Sequence, residues 1–369
     1  MSERKATWEQ FPCEQCGASL HYSPGQSALL CNYCGHTNPV AEIDLSIPEL
    51  DYRATIQRLA ESENQSTVLS VQCSECGASF HLAAGTHADV CEFCGSGIVA
   101  ETEKHRQLEP QGVLPFQITQ AAADNAFRDW LKRLWFAPGK LKSHVRGKRK
   151  LTGIYQPYWT FDSNSEAAYQ GERGTYYQVP ERVVVYVNGR RQVRTQMVTK
   201  VRWQRVSGRV RRTFDDVLIL ASHSLPEKIT RKLRSWNLKA LKRYQTAYLS
   251  GFKSEMYQGG PEDGFAEAHQ IMEHTLRNDI VHDIGGDLQR ITHMRSWHDN
   301  IRFKHILLPI WAAAYKFRGK SYRFIVNGQT GEVQGERPYS IWKIMLAVLA
   351  VILLALLFFA AAENYTAYY

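Results

Sequence analysis

One apolar stretch near the C-terminus limits the architecture of this chain most strongly. Residues Ile344–Ala362 contain no charged residue, no Gly and no Pro. As a helix these nineteen residues are about 28 Å long, close to the thickness of a bilayer's hydrocarbon core. Trp342 and Lys343 precede the stretch and Glu363 follows it, which is typical of a membrane interface. A helix buried in a soluble core usually carries some polar residues, so the sequence predicts a transmembrane helix over residues 342–362.

The charges beside this helix predict its orientation. Arg337 and Lys343 lie on its N-terminal side, and no Lys or Arg follows Lys343. Basic residues next to a span are retained in the cytoplasm. The N-terminus is polar and has no apolar segment of the signal-peptide type. We therefore expect the N-terminal body in the cytoplasm and the short tail, residues 363–369, outside.

The cysteines form the second strong pattern. All eight occur in four CxxC pairs, and each second cysteine is followed by glycine. Two units of 24 residues align at an offset of 60 with eleven identical positions, which indicates an internal duplication. Four thiolates from two such turns make a closed tetrahedral site, whereas redox CxxC pairs need a thioredoxin-like βαβ setting that is absent here. We predict two zinc ribbons holding one structural Zn²⁺ each, with the ligands Cys13, Cys16, Cys31, Cys34, Cys73, Cys76, Cys91 and Cys94.

Charge divides the chain into two parts. Residues 1–112 hold fifteen Asp/Glu and six Lys/Arg, a formal −9, and the remainder holds 21 and 39, a formal +18. Zinc ribbons often bind nucleic acid, but a ribbon module this acidic repels phosphate. We therefore expect the two parts to bind different partners or to bind each other.

The remaining patterns predict an α+β fold and its division into domains. Two ribbons and a linking helix precede an α+β body with a long β hairpin and a closing β meander, and one transmembrane helix follows it. The predicted segments are ribbon 1 (1–40), the spacer helix (41–66), ribbon 2 (67–105), the basic cytoplasmic body (113–338), the transmembrane helix (342–362) and the tail (363–369).

Within the body, local patterns predict particular elements. An amphipathic helix with cap Thr119 is expected to bury the stripe Ala123, Phe127, Trp130, Leu131, Leu134 and Trp135. Further helices are expected from Pro226 and from Glu262, the latter ending at Gly285. Its histidines lack the i, i+4 His pair of a metal-binding helix, so surface positions are expected for His269, Glu273, His274 and His282.

A repeated Pro-Trp spacing joins two segments of the body. Pro157 and Trp159 recur as Pro309 and Trp311, which suggests a second, weaker duplication. We expect each Pro at a strand start or a sheet edge and each Trp in the core.

Basic residues concentrate in two segments. The loop 140–150 has no acidic residue, and the hairpin from Arg182 to Arg212 has ten basic residues and none acidic. Each is either a solvated surface that also prevents edge pairing or a binding surface for phosphates of lipid or nucleic acid. The candidate anion-binding residues are Lys140, Lys142, Arg146, Lys148, Arg149, Lys150, Arg194, Lys200 and Arg202.

The ribbons, the runs Ile154–Asp162 and Asn327–Pro338, and the tail helix together resemble an uncharacterised family of bacterial proteins. Its members carry N-terminal zinc ribbons and a C-terminal anchor, and many are named as relatives of the primosomal replication helicase. The resemblance implies a location in the bacterial inner membrane and, by analogy, a flotillin-like scaffold as partner. This chain has no Walker A segment and no DEAD-like box, so we expect no helicase activity.

Two hypotheses for function remain. The first is a non-enzymatic adaptor tethered to the membrane, whose acidic ribbons bind a protein and whose basic body contacts anionic lipid. The alternative is a membrane-anchored nucleic-acid-binding protein that uses the basic loop and hairpin. No hydrolase, metalloprotease or dinucleotide motif supports an enzyme.

Overall fold

The computed structural model of the protein describes most of the chain. The described residues are 11–41, 46–61, 68–72, 79–81, 88–90, 97–99, 103–105, 108–139, 141, 151–187, 190–225, 227–230, 232–233, 235–318 and 320–367. The fold is α+β, as predicted, and is dominated by one large, mainly antiparallel sheet.

The elements follow in chain order. The N-terminal half holds β1 (Leu20–Ser23), β2 (Ala28–Cys31), β3 (Thr37–Pro39), β4 (Leu50–Asp51), α1 (Tyr52–Glu61), β5 (Val68–Gln72), β6 (Ser79–His81), β7 (Ala88–Val90), β8 (Gly97–Val99), β9 (Glu103–His105), β10 (Gly112–Val113) and α2 (Gln120–Arg133). The rest holds β11 (Thr152–Val187), β12 (Arg190–Leu220), α3 (Glu227–Thr230), β13 (Lys242–Arg243), β14 (Lys253–Ser254), α4 (Pro261–Ile284), β15 (Leu288–Phe317), β16 (Lys320–Asn327), β17 (Val333–Gly335) and α5 (Ile341–Ala367).

Three unusually long strands form the centre of the molecule. β11, β12 and β15 have 36, 31 and 30 residues, and β11 lies between the other two in an antiparallel sheet. At about 3.3 Å per residue, β11 spans roughly 115 Å. The alternating pattern predicted a hairpin here, and the pairing of Val183 with Arg194 and of Tyr177 with Lys200 confirms it.

The outer part of the hairpin extends beyond its neighbour. β15 pairs with β11 as far as Gly174, whereas β11 and β12 remain paired from Thr175 to Val187. This two-stranded segment, which we call the arm, is about 40 Å long at 3.3 Å per residue. Val193 and Met197 on one of its faces are 60% and 55% exposed. The arm therefore presents both strands of a β ribbon to solvent.

The two prolines of the repeated spacing lie inside long strands, not at a strand start or an outer edge. Pro157 in β11 lies between the segment paired with β14, which ends at Tyr155, and the segment paired with β12, which begins at Tyr158. Pro309 lies next to the last residue of β15 paired with β16, Ile310. Each proline thus occupies a place where one neighbouring strand ends, so its missing N–H costs no ladder bond.

Helix α4 covers one face of the long sheet. Its inward positions Ala268, Met272, Leu276 and Ile280 are fully buried against β11 and β12. The helix ends at Gly285, which has φ +64°. Tyr169 of β11 donates a hydrogen bond to Asp283 across this contact.

The segment predicted as a spacer helix is not helical throughout. Leu50 and Asp51 pair with Phe303 and Arg302 of β15 as strand β4. The Asp51 side chain then accepts from the Ala54 N–H, and α1 follows. A strand pairing with β15 therefore replaces part of the expected helix.

A buried ionic cluster joins this segment to the sheet. Lys304 Nζ lies 2.9 Å from Asp216, 3.2 Å from Glu49 and 3.6 Å from Asp162. Burial lowers the pKa of Lys304, but the hydrogen bond to Asp216 and the neighbouring carboxylates outweigh this effect and raise it. Lys304 is therefore held in its charged form at the contact between Glu49 and β15.

Helix α2 is capped by the Thr119 side chain, which accepts from the Ala122 N–H, as predicted. Ala123, Phe127 and Leu131 are buried, and Phe127 stacks on Phe324 of β16 with ring centroids 3.6 Å apart. The expected stripe is wrong at Trp135, which lies beyond the helix and is 79% exposed.

The helix predicted from Pro226 is short. Among the described residues after position 226, Glu227–Thr230 is α-helical, and Ile229 and Leu233 are buried. The closing meander is confirmed by β16 and β17, which continue the sheet from β15.

Candidate functional site: a cysteine cluster and the start of the apolar C-terminal helix

Four cysteines meet at the end of the β1–β2 hairpin. The Sγ atoms of Cys13 and Cys34 are 3.6 Å apart, and those of Cys16 and Cys31 are 3.5 Å apart. All four Sγ atoms lie within 4.8 Å of one another, which is a metal-binding distance. A tetrahedral zinc ion with Zn–S bonds of about 2.3 Å separates its sulfurs by about 3.8 Å, so the spacing fits such an ion.

Backbone turns set this geometry. The Gly17 N–H donates to the Cys13 carbonyl, and the Gly35 N–H donates to the Cys31 carbonyl. Gly17 and Gly35 have φ of 73° and 76°, which favours glycine directly after each CxxC. The two tight turns point their sulfurs at one another, as the spacing predicted.

The pKa of each of these thiols depends on the neighbouring thiols and on backbone N–H groups. Backbone hydrogen bonds, the first from the Cys34 N–H, lower the pKa of Cys31 to about 6. An N–H from Ala18 also lowers the pKa of Cys16, but burial and the adjacent thiols outweigh it and raise that pKa to about 12. Four sulfurs this close cannot all be thiolates without a cation, so the donor set is suited to a divalent thiophilic metal.

The first cysteine unit rests on the body. Its residues Leu20, Tyr22 and Leu29 belong to the same hydrophobic cluster as Phe116 and Tyr155. The Tyr22 N–H donates to the Ser250 carbonyl, and the Ser250 hydroxyl donates to the Leu20 carbonyl. The cysteine cluster is thus held in a defined position relative to the long sheet.

Several predicted site residues fall outside the described residues. These are the second cysteine set, Cys73, Cys76, Cys91 and Cys94, and the basic-loop residues Lys140, Lys142, Arg146, Lys148, Arg149 and Lys150. The buried neighbours Leu141 and Leu151 attach the basic loop to the core beside α2.

Helix α5 begins in contact with the residues just before the basic loop. The Lys343 ammonium donates to the carbonyls of Trp135 and Ala137 at 3.1 and 2.8 Å. The Ser340 N–H donates to the Phe136 carbonyl. Within the described residues, Ile341–Phe359 is the one helical stretch long and apolar enough to cross a membrane, and none of it is buried. The exposed Trp135 therefore lies beside the first turn of this helix.

The basic hairpin residues lie far along the sheet from that contact. Arg194, Lys200 and Arg202 are exposed and pair with Val183, Tyr177 and Thr175. These partners are 23 to 31 residues beyond Thr152, where β11 leaves the core beside α2, or roughly 75–100 Å at 3.3 Å per residue. The loop and the hairpin therefore form two separate basic regions.

The sheet face opposite α4 carries aromatic and arginine side chains that sequence patterns did not single out. Arg290 lies over the Trp203 ring at 4.2 Å, and Arg295 over the Trp297 ring at 5.2 Å. A shallow cavity of about 440 Å³ is lined there by Arg209, His293 and Trp297 among others. Alternation along each strand shows in the sequence which side chains share a face. It does not show that β12 and β15 lie on either side of β11, which is what brings their aromatic and arginine side chains together.

The expected surface positions are confirmed for His269, His274 and His282, which reach solvent, and Glu273 is partly buried. His269 and Glu273 are one turn apart, and His298 of β15 lies against both. The signal missed in the sequence was a third donor from a strand, which i, i+4 spacing on the helix does not show.

Comparison with known proteins gives one clear similarity. The chain is 27% identical over 335 residues to the "Uncharacterized protein YdjG" of Bacillus subtilis (strain 168). The similarity covers 90% of this chain and 91% of that protein. No family model and no solved structure matches the chain. The similarity is consistent with the uncharacterised bacterial family expected from the motifs.

Proposed function

We propose that the protein is a non-enzymatic adaptor tethered to the inner membrane of a bacterium. The observation that carries this proposal is the contact of Lys343 with the carbonyls of Trp135 and Ala137. It holds the first turn of α5 against the body directly before the basic loop 140–150. If α5 spans the bilayer, Trp135 and Trp342 lie at the interface, where indole rings are favoured.

In this arrangement the basic loop contacts anionic lipid headgroups. The body is cytoplasmic and the tail is outside, because basic residues precede the span and none follows it. Each basic residue near an anionic surface contributes about 1 kcal/mol. Phosphates of the inner leaflet are the ligands of this loop.

The hairpin serves a different partner. Its length along β11 and its exposed basic face favour contact with an acidic protein, since the loop already occupies the lipid surface. A flotillin-like membrane scaffold is the partner that the family resemblance implies. The acidic ribbons add a second protein-binding surface on the same body.

We also propose that Zn²⁺ is the metal of the ribbons, with one ion held by Cys13, Cys16, Cys31 and Cys34. The aligned unit holds a second ion with Cys73, Cys76, Cys91 and Cys94. Full-length protein dialysed against a chelator of moderate strength is expected to retain two Zn per chain. Cys16→Ser and Cys76→Ser should each retain one, by elemental analysis. Metal content near zero, with disulfides present, contradicts this proposal.

The lipid contact is tested with the full chain in nanodiscs of anionic or neutral lipid. Hydrogen exchange of residues 140–150 should be slower in anionic discs, and added salt should remove the difference. Charge reversal at Lys148, Arg149 and Lys150 should abolish it. Reversal at Arg194, Lys200 and Arg202 is the matched control, because it changes net charge equally but far along the arm.

The same two variants also test whether the loop and the arm bind different partners. The arm variant should lose the protein partner in a pull-down from solubilised membranes and keep the lipid effect. A lipid effect that depends on the arm residues and not on the loop would overturn this arrangement.

A second candidate function rests on the exposed face with Trp203 and Trp297. Aromatic rings with adjacent arginines are the usual platform for single-stranded nucleic acid, and stacking contributes about 1–3 kcal/mol per base. This candidate predicts salt-dependent binding of labelled single strands that Trp297→Ala weakens. If the wild type and Trp297→Ala bind single strands equally, or if neither binds them, this second candidate is excluded and the adaptor proposal stands.

A further inference from the structure

Three potential metal ligands meet where α4 contacts β15. The Nε2 of His298 lies 3.0 Å from Oε1 of Glu273, and the Nε2 of His269 lies 3.9 Å from the same oxygen. The three donor atoms lie within 4.8 Å of one another. The side chain of His298 is 7% exposed and that of His269 is 44% exposed. The cluster is therefore buried on the strand side and open to solvent on the helix side.

The fold brings these residues together by two regular features. His269 and Glu273 are four residues apart on α4 and so share one face of the helix. His298 pairs with Ser165 across the β11–β15 ladder. The buried Met272 of α4 touches the same place on the sheet through Ser163.

A chain of hydrogen bonds holds His298 in place. The Ser163 hydroxyl lies 3.4 Å from Met272 Sδ and 2.9 Å from the Ser165 hydroxyl. The Ser165 hydroxyl in turn lies 2.7 Å from Nδ1 of His298. Both serines are buried, so water does not compete for these bonds. Nδ1 is thus engaged by Ser165, and Nε2 is the ring nitrogen that faces Glu273.

Nε2 of His298 faces a carboxylate oxygen of Glu273 3.0 Å away. His269 adds a third donor on the open side, within 4.8 Å of the other two. Two imidazoles and one carboxylate with an outer hydrogen bond to one imidazole are a frequent metal-binding arrangement.

We propose that His269, Glu273 and His298 bind a divalent transition-metal ion, for which Zn²⁺ is the probe. Bonds of about 2.0–2.1 Å in a tetrahedral site separate the donor atoms by about 3.3 Å. The observed 3.0 and 3.9 Å bracket this value, and the exposed His269 ring is able to turn toward the ion. Water fills the fourth position, and the ion links α4 to β15.

A hydrolytic triad of Ser165, His298 and Glu273 does not fit the same atoms. Ser165 is 5% exposed, so a substrate cannot reach its oxygen. The serine positions His298 and the imidazole remains available for metal.

The test uses the full chain in nanodiscs, purified without a polyhistidine tag. Dialysis against a chelator of moderate strength leaves zinc on the cysteines and empties weaker sites. Calorimetric titration with ZnCl₂ should then show one further equivalent per chain. His269→Ala and Glu273→Gln should weaken this binding at least about 100-fold, and Ser165→Ala about 10- to 100-fold. His274→Ala is the matched control on the same helix and should bind as the wild type does.

Folding of the variants is checked separately. Glu273→Gln keeps the size of the side chain and an acceptor for Ser296, which hydrogen-bonds to Glu273. Added Zn²⁺ should raise the Tm of the wild type and leave that of Glu273→Gln unchanged. No further equivalent in the wild type, or an equal one in folded Glu273→Gln, overturns the proposal. Cys16→Ser should keep the further equivalent, so the result is independent of the ribbons.

Discussion

Replacing Lys304 by Met tests how the N-terminal segment is attached to the sheet. Lys304 is 7% exposed and faces Asp216, Glu49 and Asp162 within 3.6 Å. Methionine preserves most of the side-chain volume and removes the ammonium. The carboxylates then remain partly buried without their cation. We expect the free energy of unfolding to fall by about 3–5 kcal/mol at pH 7, as for other broken buried ion pairs.

The loss should depend on pH in a defined direction. Burial already raises the pKa of Asp162, which the Asp216 N–H and Lys304 offset only in part. Without Lys304 the folded-state pKa of Asp162 rises further above its unfolded value. At neutral pH the ionised Asp162 carboxylate is then less stable in the folded protein than in the unfolded chain, which lowers the free energy of unfolding. The penalty should shrink as the pH falls toward about 4, where carboxyl groups take up protons.

Arg302→Met is the matched control, since Arg302 reaches the same Glu49 at 3.5 Å but is 51% exposed. An exposed pair contributes about 0–1 kcal/mol, so this change should be small. The assay is urea unfolding of the full chain in detergent, followed by tryptophan fluorescence at pH 4, 5.5 and 7. Equal losses for the two variants, or a Lys304→Met loss that does not vary with pH, would refute the argument.

Three further predictions concern the pH dependence, the packing and the orientation of the chain. Burial lowers the pKa of His305 to about 4. The free energy of unfolding should therefore fall by about 3 kcal/mol as the pH falls from 6.5 to 4, because the unfolded chain takes up a proton first. His305→Asn keeps a donor for the Leu108 carbonyl, and its urea midpoint should lack this part of the pH dependence. A methyl group at Gly264 would lie 2.7 Å from Trp159 Cδ1, so Gly264→Ala should cost about 1–3 kcal/mol, whereas Gly139→Ala, with no atom within 4 Å, should change the midpoint little. Thr366→Cys should react with a membrane-impermeant thiol reagent added to intact cells, and labelling only after permeabilisation would reverse the proposed orientation.

Local patterns were sufficient for features that depend on neighbouring residues. A CxxC turn followed by glycine contains its own geometry, and Cys13, Cys16, Cys31 and Cys34 converge as their spacing predicted. The cap at Thr119 and the end of α4 at Gly285 depend on a few backbone groups, and both were predicted correctly. The candidate span likewise follows from composition over 19 residues.

Features that depend on distant neighbours could not be predicted from these patterns. Alternation predicts a strand but not its length, which in β11 is set by how far β12 and β15 run beside it. Trp135 fits the helical stripe of α2, yet the helix ends at Arg133 and the ring is left exposed.

The sequence by itself determined the cysteine knuckles, the apolar C-terminal helix and the α+β class, because each follows from interactions within a few turns of chain. Only the tertiary structure decided which donors and charges meet. Glu49 and Lys304 are 255 residues apart, and Glu273 and His298 are 25 apart on a helix and a strand. These contacts exist because the register of the long sheet and the packing of α4 place the residues together. No local periodicity records that placement.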